Sequence, residues 1–267
     1  MPTHSHGRHE LGQNFLTDPH VIADVAERVA ATTGPIIEIG PGDGALTEPL
    51  LDLGRPVTAV EVDGRLASRL RRRFDDDLVV VHTDALRYPL PTTPHVVVGN
   101  LPFHLTTALL RRLLHAPGWT DAVLLVQWEV ARRRAGVGGS TMMTAQWAPW
   151  FEFTLGRRVP AAAFSPRPGV DGGVLLMHRR RDPLVDPAER KRYQAMVNRV
   201  YTGRGRGVAE ILIKARMFTR TGDARAWCRR AGVAPGALPG RLTVEQWVSL
   251  FEATGASPPR VRRPQSR

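Results

Sequence analysis

The feature that most constrains this chain is a rhythm. From residue 36 to residue 126 short apolar runs (Ile36 to Ile39, Val57 to Val62, Leu78 to His82, Val96 to Val98, Val123 to Val126) are separated by amphipathic stretches near 45 to 53, 64 to 74 and 105 to 115. Short apolar runs suit strands of a buried sheet, and helical patterns between them supply the crossovers that parallel pairing requires. The expected fold is therefore α/β, a Rossmann-like domain with a mainly parallel central sheet. An earlier helix is marked by Asp18 and Pro19, an N-cap acid followed by proline at the first helical position. Ile22, Val25, Ala26 and Val29 give it one apolar face, and Gly34-Pro35 ends it.

Beyond Arg134 the rhythm changes. Ala135 to Ser140 reads as a glycine-rich loop, and Trp147 to Phe153 and Val174 to Met177 as later strands or a helix-strand pair. Arg179-Arg180-Arg181 followed by Asp182-Pro183 marks a boundary, after which 187 to 202, 207 to 217, 222 to 231 and 243 to 254 read as short helices, with Thr243 as an N-cap. The expected division is a catalytic domain over 1 to 180, a small all-helical domain over 181 to 255, and a disordered basic tail over 256 to 267.

Charge separates these parts. The net charge is +12, yet residues 1 to 179 carry 18 basic and 18 acidic side chains, whereas residues 180 to 267 carry 19 and 7. A neutral front suits chemistry, and a basic back suits docking of a polyanion, nucleic acid above all. The single cysteine, Cys228, excludes an intramolecular disulfide and a cysteine-based zinc site. No apolar run approaches the roughly 18 residues of a membrane span, and MPTHSHGRHELGQNF has no secretory pattern, so a cytoplasmic protein away from membranes is expected. His4, His6 and His9 form only a loose cluster, and no metal is expected.

Three strand ends carry polar groups. The first runs into Glu38-Ile39-Gly40-Pro41-Gly42-Asp43-Gly44, a turn in which glycines let a ligand approach the backbone; the spacing also fits a purely structural turn. Glu61 closes the second strand, where a carboxylate can accept both ribose hydroxyls, and Asp84 follows the third, where it can accept from an adenine amino group beside the Ala85 amide. Either acid alone could be a solvated strand end. With no P-loop lysine after the glycines, the set fits a nucleoside without phosphates, and S-adenosylmethionine is the natural choice. The fourth strand, HVVVGNLPF, then delivers Asn100, Leu101, Pro102 and Phe103 to the same edge, although a turn has no use for that ring.

In this order LGQNFL (11 to 16), EIGPGDGALT (38 to 47), VEVD (60 to 63), TDAL (83 to 86), GNLPF (99 to 103) and VPAAAFSPRPGV (159 to 170) resemble the rRNA adenine N6-methyltransferases, and within them the Erm group acting on 23S rRNA. The resemblance covers most of the chain. It implies that Asn14 and Leu16 border the cofactor, that Gly40 lies against its methionine part, that Glu61 takes the ribose, and that Asp84 and Ala85 take the adenine. Asn100, which also borders the cofactor, and Phe103 would handle the target base, with Leu101 lending a carbonyl, Pro102 fixing its direction, and Phe164 forming a second aromatic wall. The implied reaction is methyl transfer to N6 of an adenine in domain V of 23S rRNA, with resistance to macrolide, lincosamide and streptogramin B antibiotics. The implied partner is 23S rRNA, met by a monomer.

Extruding an adenine from structured RNA costs roughly a few kcal/mol, so backbone binding must contribute. Candidate phosphate contacts are Arg132, Arg133, Arg134, Arg157, Arg158, Arg204, Arg206, Arg229 and Arg230, though pairing of Glu129 with Arg132 or Arg133 is a local alternative. About five such contacts give a log-log salt slope near −4. The nearest rival is a KsgA-type dimethyltransferase of small-subunit rRNA, against which stand GVGGSTMMTAQW before and after Met142 and GRGRGVAEIL at 203 to 212. A non-catalytic RNA-binding factor on the same fold is the rival of a different class.

Overall fold

The computed structural model describes residues 14–218, 220–234 and 236–255, so the histidines near the start and the expected disordered tail lie outside the described residues. In chain order the elements are β1 (Phe15–Leu16), α1 (Pro19–Ala30), β2 (Ile36–Ile39), α2 (Thr47–Leu51), β3 (Val57–Glu61), α3 (Gly64–Phe74), β4 (Val79–His82), β5 (His95–Asn100), α4 (Thr106–His115), β6 (Trp119–Gln127) and α5 (Trp128–Arg134). There follow α6 (Met142–Trp147), β7 (Phe151–Val159), β8 (Phe164–Ser165), β9 (Gly172–Arg179), α7 (Arg190–Tyr201), α8 (Val208–Lys214), α9 (Thr221–Arg230) and α10 (Val244–Ala253). The chain forms two compact units, one running to Ala135 and including Phe153–Arg179, the other comprising Gly136–Glu152 and the chain from Arg180. Residues 136 to 152 thus group with the helical unit, in contrast to the single division at residue 180 expected from sequence.

In the first unit a seven-stranded sheet has the order β4-β3-β2-β5-β6-β9-β7. Strands β4, β3, β2, β5 and β6 pair in parallel, and β9 is antiparallel to β6, with Val123 opposite Leu176. All four residues of β2 are buried, as expected of a central strand covered by helices on both faces. Asp18 accepts from the amides of His20 and Val21, and α1 presents Val21, Val25 and Val29 to the core at four-residue spacing. From β2 the chain moves outward through β3 and β4, then returns to place β5 on the other side of β2. The carboxyl ends of β2 and β5 therefore meet at the topological switch point, the position where open α/β sheets hold ligands.

The helical unit is organised around aromatic rings. Arg190 lies over both Trp147 and Trp150, 5.2 Å from each ring centroid, and the buried Tyr193 donates its hydroxyl to the Ala145 carbonyl at 3.0 Å. These contacts fasten α6 to α7 within that unit and account for its claim on residues 136 to 152. Thr243 caps α10 in a capping box with Gln246.

Candidate active site

Gly40 follows the central strand with φ +67, and a Cβ there would stand in contact with the Asn100 carbonyl oxygen at 3.9 Å, so the two strand ends lie side by side and both border one open space. That space is a cavity of about 290 Å³. Its wall includes Asn14, Leu16, Gly40, Glu61, Asp84 and Ala85, together with Asn100, Leu101, Pro102 and Phe103. One enclosure thus collects every residue assigned from sequence to the cofactor and four of the five assigned to the base. Gly99 sets the spacing behind it, because a Cβ on Gly99 would run into the Ile39 carbonyl oxygen of β2.

Each polar side chain has a defined orientation. The Asn100 amide nitrogen donates to the Asn14 carbonyl at 2.7 Å, which leaves its side-chain oxygen as the outward acceptor. Leu101 donates its own amide to Leu125, and among the described residues no donor reaches the Leu101 carbonyl. Pro102 accepts from Leu105 and from the Thr106 hydroxyl, anchoring the turn into α4. Glu61 accepts from the amides of Gly42 at 3.1 Å and Asp63 at 2.8 Å, tying the glycine turn to β3. Asp84 accepts from the Leu86 amide at 2.8 Å through one oxygen.

Glu38, the first residue of the glycine-turn motif, lies buried in the cavity wall. It is 1% exposed and accepts from the Thr47 hydroxyl at 2.7 Å. Burial, with a smaller contribution from nearby Glu61, pushes its pKa up to about 7 despite the Thr47 bond. Burial also raises Glu61, against the opposing pull of its backbone amide donors. Four carboxyl groups, those of Glu38, Asp43, Glu61 and Asp84, line the cavity with no lysine or arginine among the lining residues, which favours a cationic ligand. The residues present therefore fit S-adenosylmethionine, whose sulfonium and ammonium groups are positive and whose ribose and adenine match the acids at the ends of β3 and β4.

Other assignments fare differently. Phe164 is 4% exposed, pairs opposite Leu16 between β8 and β1, and lies in the hydrophobic core, where a Cβ on Gly172 would stand 3.1 Å from its ring. It is not among the residues that line this cavity, and its ring packs in the core. Arg158 pairs with Asp171 at 2.7 Å and lies over the Trp128 ring, while Arg157 donates to the His20 carbonyl. Arg132 pairs with Glu129 at 3.2 Å, the local alternative weighed from sequence. Arg134 is half-buried beside Arg111 and Arg133, and Arg133, Arg204, Arg206, Arg229 and Arg230 are exposed. Phe15, Val62 and Leu109 also line the cavity, a placement the sequence does not signal, since nothing in a lone apolar residue marks which pocket it faces.

The sequence profile of a family described as Ribosomal RNA adenine dimethylase matches residues 4–255. The chain belongs to this family. Within and around the ribosomal RNA adenine dimethylases, it is 57% identical over 236 residues to an rRNA adenine N-6-methyltransferase of Corynebacterium diphtheriae, covering 88% of this chain and 93% of that protein. It is 53% identical to the mycinamicin-resistance protein MyrB of Micromonospora griseorubida, covering 92% and 78%. The crystal structure of the 23S rRNA methyltransferase ErmE superposes with a TM-score of 0.83 at 35% identity, covering 91% of this chain and all of that one. These likenesses establish a methyltransferase fold with a mainly parallel sheet and a helical C-terminal region.

Proposed function

We propose that this protein methylates N6 of one adenine in domain V of 23S rRNA, once or twice, and thereby confers resistance to macrolide, lincosamide and streptogramin B antibiotics. It is an S-adenosylmethionine-dependent rRNA adenine N6-methyltransferase by family and by its likeness to named relatives. The choice of 23S over 16S rRNA is supported by the names of two of those relatives, one a mycinamicin-resistance protein and one a 23S rRNA methyltransferase. Acting on ribosomal RNA, it works in the cytoplasm.

The observation that carries the catalytic reading is the bond from the Asn100 amide nitrogen to the Asn14 carbonyl. With that nitrogen occupied, the side chain offers an acceptor, and the Leu101 carbonyl offers a second beside it. An adenine amino group is a poor nucleophile because its lone pair is delocalised into the ring, and its hydrogens are too weakly acidic for a side chain to remove first. Two acceptors on its two N–H groups favour a more tetrahedral nitrogen with the lone pair directed outward. This is positioning and electrostatic stabilisation in place of a general base. Pro102 restricts Leu101 to extended backbone, which aims the carbonyl. Phe103, half-buried in the wall, stacks on the base and stabilises the positive charge that grows on nitrogen. When bound, the cofactor supplies an activated methyl on a sulfonium.

Exposed Arg133, Arg204, Arg206, Arg229 and Arg230 remain the arginines best suited to phosphates, as none has an acidic side chain paired with it among the described residues. The deciding experiment treats purified 23S and 16S rRNA in parallel and analyses the nucleosides by mass spectrometry, with the modified position mapped. Methyladenine at a single domain V position of 23S rRNA is expected. Transfer to 16S rRNA alone overturns the assignment.

A further inference from the structure

Next to the cofactor cavity, and sharing Leu86 with it, lies a second and more open cleft of about 570 Å³. One side is formed by Leu86, Pro89 and Leu90 from the segment that follows β4, the other by Arg111, Arg112 and His115 on the later turns of α4. The volume is within the range of small-ligand sites. Its chemistry is divided: an apolar floor faces a rim of guanidinium groups, which suits a flat base joined to a phosphate.

The two arginines of the rim are not neutralised by ion pairs. Neither Arg111 nor Arg112 has an acidic partner among the described residues. Arg112 reaches across the cleft to donate one terminal nitrogen to the Tyr88 carbonyl, which holds the guanidinium in place, while its Nε–H is buried with no acceptor. Its remaining terminal nitrogen is neither buried nor hydrogen-bonded among the described residues, and an oxyanion seated in the cleft can accept from it. Arg111 adds to a field felt by Arg134, whose pKa is lowered by burial and by Arg111 and Arg133. Arg111 to His115 stand five to nine residues beyond the start of α4 at Thr106, about 8 to 14 Å along the helix. That is close enough for an RNA strand whose target base enters at Phe103 to cross the cleft.

We infer that the cleft between Leu86, Pro89, Leu90 and the Arg111-Arg112 pair is a nucleotide-binding subsite that receives one unpaired nucleotide of the RNA substrate flanking the target adenine. The base lies on the leucines and proline, and its phosphate meets the open terminal nitrogen of Arg112 and the Arg111 guanidinium. The inference rests on the RNA-methyltransferase reading above. It predicts that specificity for the sequence context of the target is set partly here, away from the reacting atoms.

The test pairs changes in RNA with changes in protein. A hairpin carrying the target adenine is made with each flanking nucleotide replaced in turn by an abasic residue, and KM for RNA is measured with the full-length wild type, Leu90→Ser and Arg112→Lys. The lysine variant keeps the charge but cannot hold the Tyr88 carbonyl and an oxyanion at once through two terminal nitrogens, so it serves if the serine variant folds poorly, as a thermal melt will reveal. In the wild type, loss of one particular base should raise KM for RNA about five- to tenfold. The same loss should have no further effect in either variant, while KM for the cofactor stays constant throughout. Additive effects at every flanking position overturn the subsite. So does saturable binding of free adenosine or cytidine monophosphate, lost in Arg112→Lys, when the abasic effects are additive; the cleft would then serve a free nucleotide. Absence of methyl transfer by the wild type to any 23S rRNA fragment would instead overturn the underlying reading, and this assignment with it.

Discussion

Replacing Glu38 by glutamine should make the protein's stability less dependent on pH. Glu38 is fully buried at the end of the central strand, and its pKa stands at about 7 against an ordinary value of 4.5. The folded protein therefore holds this proton more tightly than the unfolded chain does. The corresponding stabilisation is complete below pH 4.5, declines as the pH rises between the two values, and is lost above pH 7. A difference of that size corresponds to about 3 kcal/mol in all, with roughly 2.5 kcal/mol falling between pH 5 and pH 8. Glutamine preserves the shape and an acceptor for the Thr47 hydroxyl but cannot ionise. Urea denaturation of wild type and Glu38→Gln at several pH values gives the comparison directly. The variant should gain on the wild type steadily from pH 5 to pH 8. A difference that stays flat with pH would refute the argument that burial, rather than the Thr47 hydrogen bond, dominates this site. The same carboxyl links pH to cofactor affinity: a cationic ligand favours the ionised form, so wild-type affinity should increase through pH 7 while that of the variant changes little.

Three further outcomes follow from the geometry. Asn100→Ala should lower kcat by about 10²- to 10³-fold with near-normal RNA binding, as measured by single-turnover methyl transfer and filter binding; retention of full activity would remove Asn100 from the chemistry. Gly99→Ala should cost about 3 kcal/mol of stability in denaturant, because its methyl group meets the Ile39 carbonyl in the middle of the sheet. Arg133→Ala should reduce the log-log salt slope of RNA binding by about 1, whereas Arg158→Ala, already paired with Asp171, should leave the slope nearly unchanged.

Much of the site was legible from sequence because it is local. Glycine turns, strand-end acids and Asn-Leu-Pro-Phe each follow a strand, and the α/β rhythm predicts that such ends share an edge. The helix start at Asp18 and the cap at Thr243 were readable for the same reason, since capping involves residues two or three apart. Burial and partners were not legible. Phe164 carries the same ring as Phe103, yet β8 pairs it against Leu16 in the core while Phe103 is left on the cavity wall. Nor does a basic sequence reveal that Asp171, thirteen residues beyond Arg158, has claimed that arginine.

By itself the sequence determined the class of fold, the order of the strand-end groups and the kind of ligand they suit, because periodicity and turn chemistry act over a few residues. Only the tertiary structure decided that β5 returns to lie beside β2, which brings Asn100 next to Gly40, turns its amide onto Asn14 and isolates Glu38 from water. Those outcomes depend on contacts between residues far apart in the chain, and it is such contacts that set which polar groups are buried, paired or left open to a substrate.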